Sequence, residues 1–472
     1  MTRKNILLVS MLLYLSGTMA QIKLPSVLSD GMVLQQSCEA ALWGKAAPGK
    51  VVSVKTGWDG KTYRTTVAND STWKMKVKTP AASLTSYTIQ FSGAGKAEIK
   101  NVLIGEVWLC RGQSNMELPV KGYPNQPIEG ALQDIVDSSN NYLRCYTVKR
   151  ASAITRQWDC PGKWEAASPN TTGDFTAAGY YFARQLQKVL RIPVAILHCS
   201  WGGSTIEAWI SSDAMKLFPN MKIPRTQAEN KIRWKSPTVL YNGMLNSLVG
   251  YTMRGALWYQ GESNRTRYKE YAAQFEAMHK DWIAKWGIGD FPIYFAQLAP
   301  FGYEDKRYNC AFMREVQEKI ARTQPNTGMV VLMDIGDSIC IHPGKKREVG
   351  ERFACMALAR NYGFDKFQYQ SPQYSSFEIK GDRIFLKFDY APLWLTSFYK
   401  EITGFKIAGA DRKFYPAKAL LTRKTLEVYA PEVPNPVAVR YGFEDFVQGT
   451  LWGVNGLPVS SFRTDNWDDV IY

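Results

Sequence analysis

The sequence predicts an α/β fold in which a parallel sheet is covered on both faces by helices, with strand-rich segments at either end. Three observations carry this. From about residue 101 to 365, apolar strand-like runs alternate with stretches of helical spacing, the rhythm of a chain crossing back over a parallel sheet. Residues 21–100 instead hold short alternating strands separated by turn signals. After about 366 that β pattern returns.

Taken in order, the chain opens with MTRKNILLVSMLLYLSGTMA. Arg3 and Lys4 precede an apolar stretch from Ile6 to Leu15, and Thr18-Met19-Ala20 supplies small residues for cleavage, so residues 1–20 read as a signal peptide. The expected product is an exported protein, periplasmic or extracellular, starting near Gln21. No later segment offers about eighteen uninterrupted apolar residues, so no membrane insertion is expected. Within 21–100, "KVVSVKTGWDGKTYRTTVANDSTWKMKVKT" turns at Asp59-Gly60 and Asn69-Asp70, giving a small sandwich-like β domain.

In the central unit, 101–365, "GEVWL" is a buried strand and "TAAGYYFARQLQKVL" a helix with Phe182, Leu186 and Val189 on one face. "PVAILHCS" and "RGALWYQ" are strands. Residues 268–286 form a helix along Tyr271, Phe275, Met278 and Trp282. "FPIYFAQL" and "MVVLMDIGD" are strands, and 310–322 and 345–360 are helices. In 366–472, "FEIKGDRIFLKF" and the run around Val437–Arg440 are β; they form a domain of their own or complete the first one.

Composition narrows the function. The 472 residues are 45% hydrophobic and 13% aromatic, ample for sizeable cores and contrary to disorder. The formal charge of +16 raises nucleic acid as a partner, but the lysines and arginines are dispersed among apolar strand residues, which reads as solvated faces. No nucleic-acid role is assigned, and an acidic glycan stays open. The eight cysteines show neither CxxC pairs nor Cys/His metal spacing, so no metal is expected. Their even number in an exported chain allows bridges but assigns none.

Four loops at predicted strand ends carry the chemistry: Gly112-Gln113-Ser114-Asn115, Ser200-Trp201-Gly202-Gly203-Ser204, Gln260-Gly261-Glu262-Ser263-Asn264, and Asp337-Ser338-Ile339-Cys340-Ile341-His342-Pro343. In parallel sheets ligands gather at that edge. Together the loops supply a serine, a histidine, acids, a glycine pair and amides, the parts that acyl transfer needs. Only three histidines exist. His279 falls in a helix and His198 inside an apolar strand, where packing is the default. His342, in a loop stiffened by Pro343, is the best-placed base.

These blocks resemble the sialate O-acetylesterase family of the SGNH (GDSL-like) superfamily: "GEVWLCRGQSNM", "WGGSTIEAW", "WYQGESN" and "IHPGKKREVGERFA" occur in order. The likeness extends to "LPSVLSDGMVLQQ" and "NGLPVSSFRTDNW" near the ends. The resemblance implies a three-layer α/β/α esterase domain, no cofactor, and an O-acetylated sugar as substrate. By position it makes Ser114 the nucleophile and His342 the base, with an oxyanion hole from the amides of Ser114 and Gly203 and the side chain of Gln260, preferred over Asn264. Asn264 and Arg111 remain as substrate-contacting candidates. Glu262 is read as a brace for its loop.

The chain departs from the family pattern twice. Where relatives carry an acid two or three residues before the histidine, this one has Cys340 and Ile339, so either Asp337, with Asp334 nearby, orients His342 or the site is a Ser–His dyad. Arg111 stands where relatives have a small residue; it meets a substrate carboxylate or, the preferred reading, pairs with Glu106 or Glu117. An esterase for acetylated xylan or another glycan, and a carbohydrate-binding protein that has lost catalysis, are the alternatives.

Overall fold

A computed structural model describes residues 21–469; the signal peptide expected at 1–20 lies outside the described residues. The first six strands are β1 (Val33–Gln35), β2 (Glu39–Lys45), β3 (Val51–Thr56), β4 (Thr62–Thr66), β5 (Thr72–Lys78) and β6 (Ser83–Gly93). The alternation read in "TWKMKVK" is realised in β5: Trp73, Met75 and Val77 point inward and the lysines between them outward. β2 and β5 pair antiparallel, as do β3 with β4 and with β6.

β7 (Ala97–Gly112) is 16 residues long and belongs to two neighbourhoods. Its first part pairs with β6 and with β1, whereas from Glu106 onward it pairs with β10 (Val194–Ser200) and from Trp108 with β11 (Gly255–Tyr259). The strand therefore crosses residue 100 without a break. β8 (Asn140–Val148), β9 (Gly162–Ala167), β12 (Ile293–Ala296) and β13 (Thr327–Val330) complete the central sheet in the order β13-β12-β11-β7-β10-β8-β9. All neighbours in it are parallel except β8 and β9. Consequently Gly112, Ser200 and Tyr259 end side by side at one edge.

The helices are α1 (Ser114–Glu117), α2 (Ala131–Val136), α3 (Ala177–Leu190), α4 (Val239–Gly243), α5 (Tyr268–Trp286), α6 (Ala311–Thr323) and α7 (Lys346–Asn361). Phe182 and Leu186 of α3 share a core with Phe353 and Ala357 of α7 and with Trp108 and Ile196 from the sheet. Tyr271, Phe275, Met278 and Trp282 of α5 share another with Val107, Leu109 and Leu197, whose side chains leave the same strands in the opposite direction. Fully burying each such side chain contributes about 1.5–3 kcal/mol. Thr176 caps α3 by accepting the amide of Gly179 at 3.3 Å. α5 stops at Gly287, whose φ of 62° suits a residue without a Cβ.

The C-terminal β segments have a core of their own, including Ile384, Leu386, Ile407, Val428 and Phe462. Among the described residues none of their strands pairs with an N-terminal strand. They dock on α6, where buried Arg314 donates to Ser461 Oγ at 3.1 Å and to the carbonyl of Gly442 at 2.9 Å. All eight cysteines are free thiols, five of them buried, so the bridges that the even count allowed do not form. No helix among the described residues is long and apolar enough to cross a membrane.

Candidate active site

The nucleophile candidate sits where β7 runs out. A Cβ at Gly112 would overlap the carbonyl oxygen of Tyr259, so only glycine lets the two strands approach here. The amide of Gln113 then donates to that same carbonyl at 3.0 Å, and the chain turns into α1 with Ser114 as its first, partly exposed residue. The second loop lies directly against it: a Cβ on Gly202 would stand 3.3 Å from the Cβ of Ser114. The amide of Gly202 is taken by Glu117 Oε2 at 2.7 Å, and Glu117 is paired in turn with Arg150 at 2.5 Å. Among the described residues no acceptor takes the amide N–H of Ser114 or of Gly203. Two donors are thus left beside the serine.

Asn115 ties three of the loops together. Its Nδ2 donates to Glu262 Oε1 at 2.5 Å and to the carbonyl of Ile341 at 3.0 Å. Its Oδ1 accepts from Lys346 Nζ at 2.7 Å, and Lys346 also donates to the carbonyl of Pro343 at 2.9 Å. The residues on either side of His342 are therefore held by the residue next to Ser114, one directly and one through Lys346. Glu262 acts as the brace expected of it. Lys346 is fully buried, and burial, partly opposed by Glu262, pulls its pKa down to about 7. Burial raises the pKa of Glu262. Among the described residues the His342 ring neither accepts nor donates a hydrogen bond; Tyr123 meets it edge-on at 6.3 Å between centroids. Burial and then the Lys346 charge lower its pKa to about 4, leaving the imidazole neutral at pH 7.

Other expected residues are placed differently. Arg111 meets neither solvent nor a carboxylate. It is buried between the rings of Trp209 and Trp282, at 4.0 and 4.4 Å from their centroids, and its guanidinium has no hydrogen-bond partner among the described residues. The two acids proposed for it are engaged elsewhere, Glu106 with Arg254 and Glu117 with Arg150. The reason is strand alternation, since Arg111 shares the inward face of Val107 and Leu109. Gln260 is no oxyanion donor in this geometry. Buried, it gives its amide hydrogens to the Ser204 carbonyl at 3.1 Å and Asn264 Oδ1 at 2.8 Å. Asn264 is buried too, accepting from the amide of Ile206 at 3.1 Å and donating to Glu207 at 3.0 Å, so it locks the second and third loops instead of contacting a substrate.

Asp337 does not reach His342. Its Oδ1 accepts the amides of Ile339 and Cys340 at 2.8 and 2.9 Å, shaping its own turn. Asp334 is held by Arg352 at 2.6 Å. His198 is buried in β10 and His279 in α5, as their sequence positions suggested. Asn115 and Lys346 went unassigned from sequence. For Lys346 the signal was present, because 346, 349, 350, 353, 354 and 357 recur at helical spacing and all are buried.

Comparison with known proteins gives the family. Residues 104–359, more than half of the chain, match the family described as carbohydrate esterase, sialic acid-specific acetylesterase. The chain is 28% identical over 399 residues to a sialate O-acetylesterase of Homo sapiens, covering 77% of this chain and 76% of that protein. It is likewise 28% identical to the sialate O-acetylesterase of Rattus norvegicus, covering 77% of this chain and 78% of that one. The structure of a carbohydrate acetylesterase from Xanthomonas citri superposes with a TM-score of 0.85 at 34% identity, covering 94% of this chain and all of that one. By class, then, the protein is a carboxylic ester hydrolase. Within that class it belongs to the carbohydrate esterase family of sialic acid-specific acetylesterases.

Proposed function

We propose that the protein removes O-acetyl groups from sugars, sialic acids foremost, through an acyl-enzyme on Ser114, and that the central unit is an SGNH-type three-layer esterase domain. The observation that carries this is the pair of unengaged amides, Ser114 and Gly203, set beside a partly exposed serine at the carboxyl edge of a parallel sheet. Ser114 Oγ attacks the acetyl carbonyl while neutral His342 takes its proton. The two amides receive the oxyanion, a contribution that is usually among the largest in acyl transfer. The imidazolium then protonates the sugar oxygen as the C–O bond breaks, and water attacking the acyl-enzyme releases acetate and restores the serine.

With Asp337 and Asp334 engaged elsewhere, the reading favoured is a Ser–His dyad. His342 is oriented by its own loop, through the Ile341 and Pro343 carbonyls, instead of by a carboxylate. The names of the relatives point to sialate as the sugar. The export-like segment at 1–20 points to glycans outside the cytoplasm. Acetate release from a panel of acetylated sialic acids and neutral sugars tests the proposal. Ser114→Ala should abolish release with its melting temperature unchanged, and a folded Ser114→Ala protein that keeps most of its activity would overturn it.

A further inference from the structure

Trp201 and Trp234 pair beside the Gly202-Gly203 loop, and the segment that carries Trp234 also lines a basic cleft, through Lys231 and Ser236 among others. A Cβ on Gly203 would lie 3.1 Å from Trp234 Nε1, so this indole stands one residue from the glycine that touches Ser114. Trp201 and Trp234 lie near-parallel, 6.2 Å apart and inclined by 25°, and Trp234 is 37% exposed. Beyond them the segment 216–235 carries Lys216, Lys222, Arg225, Lys231, Arg233 and Lys235 against one acid, Glu229. Lys222, Arg225 and Lys231 line, together with the single acid Glu229, a cleft of 1010 Å³ floored by Phe218, Met221 and Ile223. None of these three cations has an ion-pair partner among the described residues. The segment is anchored to the site: Thr205 Oγ1 donates to the Lys235 carbonyl at 3.0 Å and Asn230 donates to Ser152 at 3.0 Å.

The volume stands at the upper end of the roughly 300–1,000 Å³ that small-molecule pockets occupy, more than one sugar ring fills. A half-exposed indole offers a flat apolar surface of the kind that covers the C–H face of a pyranose. Unpaired cations at such a rim attract anionic ligands and set specificity more than raw affinity. We propose that Trp234 and the Lys222–Arg225–Lys231 cleft form an extended subsite for a glycan chain whose residues beyond the acetylated one carry carboxylates. This deepens the esterase reading and rests on it. The cations dispersed in the rest of the sequence are here gathered on one segment.

The test compares p-nitrophenyl acetate with three acetylated polymers: polysialic acid, polygalacturonate and neutral xylan. In the triple variant Lys222→Ala, Arg225→Ala, Lys231→Ala, the ratio of kcat/KM on an anionic polymer to that on p-nitrophenyl acetate should fall about tenfold, through KM. Raising salt from about 0.02 to about 0.3 M should reproduce that fall in the wild type, because screening shortens the reach of exposed charges. Trp234→Ala should lower all three polymer ratios and Trp234→Phe should restore them. The larger of the two anionic losses identifies the source of the carboxylates. A ratio unmoved by the triple variant, or one that falls equally for xylan, overturns the proposal. Binding of the anionic polymers to Ser114→Ala, and its loss in the triple variant, is measured without turnover, so a failed esterase assignment is told apart from a failed subsite.

Discussion

Two cations are buried close to the carboxyl edge of the sheet, and the fold treats them in opposite ways. Arg111 lies on the α5 face of the sheet between two indoles, and its guanidinium makes no hydrogen bond among the described residues. Lys346 lies at the start of α7 and is held by Asn115 and the Pro343 carbonyl. A guanidinium is planar, delocalised and weakly hydrated, so aromatic faces replace part of its solvation. An ammonium is a compact, strongly hydrated charge that needs acceptors. The pKa of Arg111 falls only to about 9, so it stays charged at neutral pH, whereas that of Lys346 falls to about 7, where charge and neutrality balance. One cation fills a core; the other ties two loops together.

The comparison is broken most severely by Lys346→Met. Asn115 Oδ1 and the Pro343 carbonyl lose their donor, the loops holding Ser114 and His342 are released from each other, and kcat on p-nitrophenyl acetate should fall about a hundredfold. Loss of the neighbouring charge should also move the acid limb of kcat/KM from about 4 toward the ordinary histidine value of 6.5. A variant with both kinetic quantities unmoved would show that the network positions nothing.

Arg111→Lys comes next. It keeps the charge but loses the flat stack, and should lower stability by about 2–3 kcal/mol in urea titrations. Arg111→Met, an apolar filling, should cost less than about 1 kcal/mol. The reverse order would mean that the charge, not the packing, matters between Trp209 and Trp282.

A finer contrast comes from the pH dependence of folding. Lys346 binds its proton below pH about 7 when folded and below its ordinary 10.5 when unfolded. Between those values the unfolded chain holds more protons, so the stability of the wild type relative to Lys346→Met should rise with pH across that window and be flat below it. The smallest effect belongs to Asp337→Asn, about tenfold or less in kcat, since its carboxylate shapes a turn and does not touch the imidazole. A loss of several orders of magnitude would restore Asp337 as the orienting acid.

Much of the sheet and its helices could be read from the sequence because burial there follows period. Tyr271, Phe275, Met278 and Trp282 mark α5, and the alternation in "TWKMKVK" marks β5. The Ser114 turn was legible because glycine, a small hydroxyl residue and amides are grouped after an apolar strand. Arg111 was misplaced because a cation at a strand end suggests solvent or an acid, and the indoles that enclose it come from positions 98 and 171 residues later. Gln260 and Asn264 carry amides suited to an oxyanion, and only three-dimensional neighbours show that those amides face Ser204 and Glu207 instead. Lys346 stood in a basic run, "GKKREV", that hides which lysine turns inward; its register with the buried stripe of α7 was the available clue.

The continuity of β7 bears on how such a chain can be inherited. Its first half is stitched to β6 and β1 and its second half to β10 and β11, so the serine turn is the far end of a rod whose near end is embedded in the amino-terminal strands. A recombination junction at residue 100 would cut that rod and leave both fragments with unpaired backbone. Gene fusions that exchange the amino-terminal strands of such an esterase must carry the strand leading to Ser114 with them, making the two regions a single unit of descent.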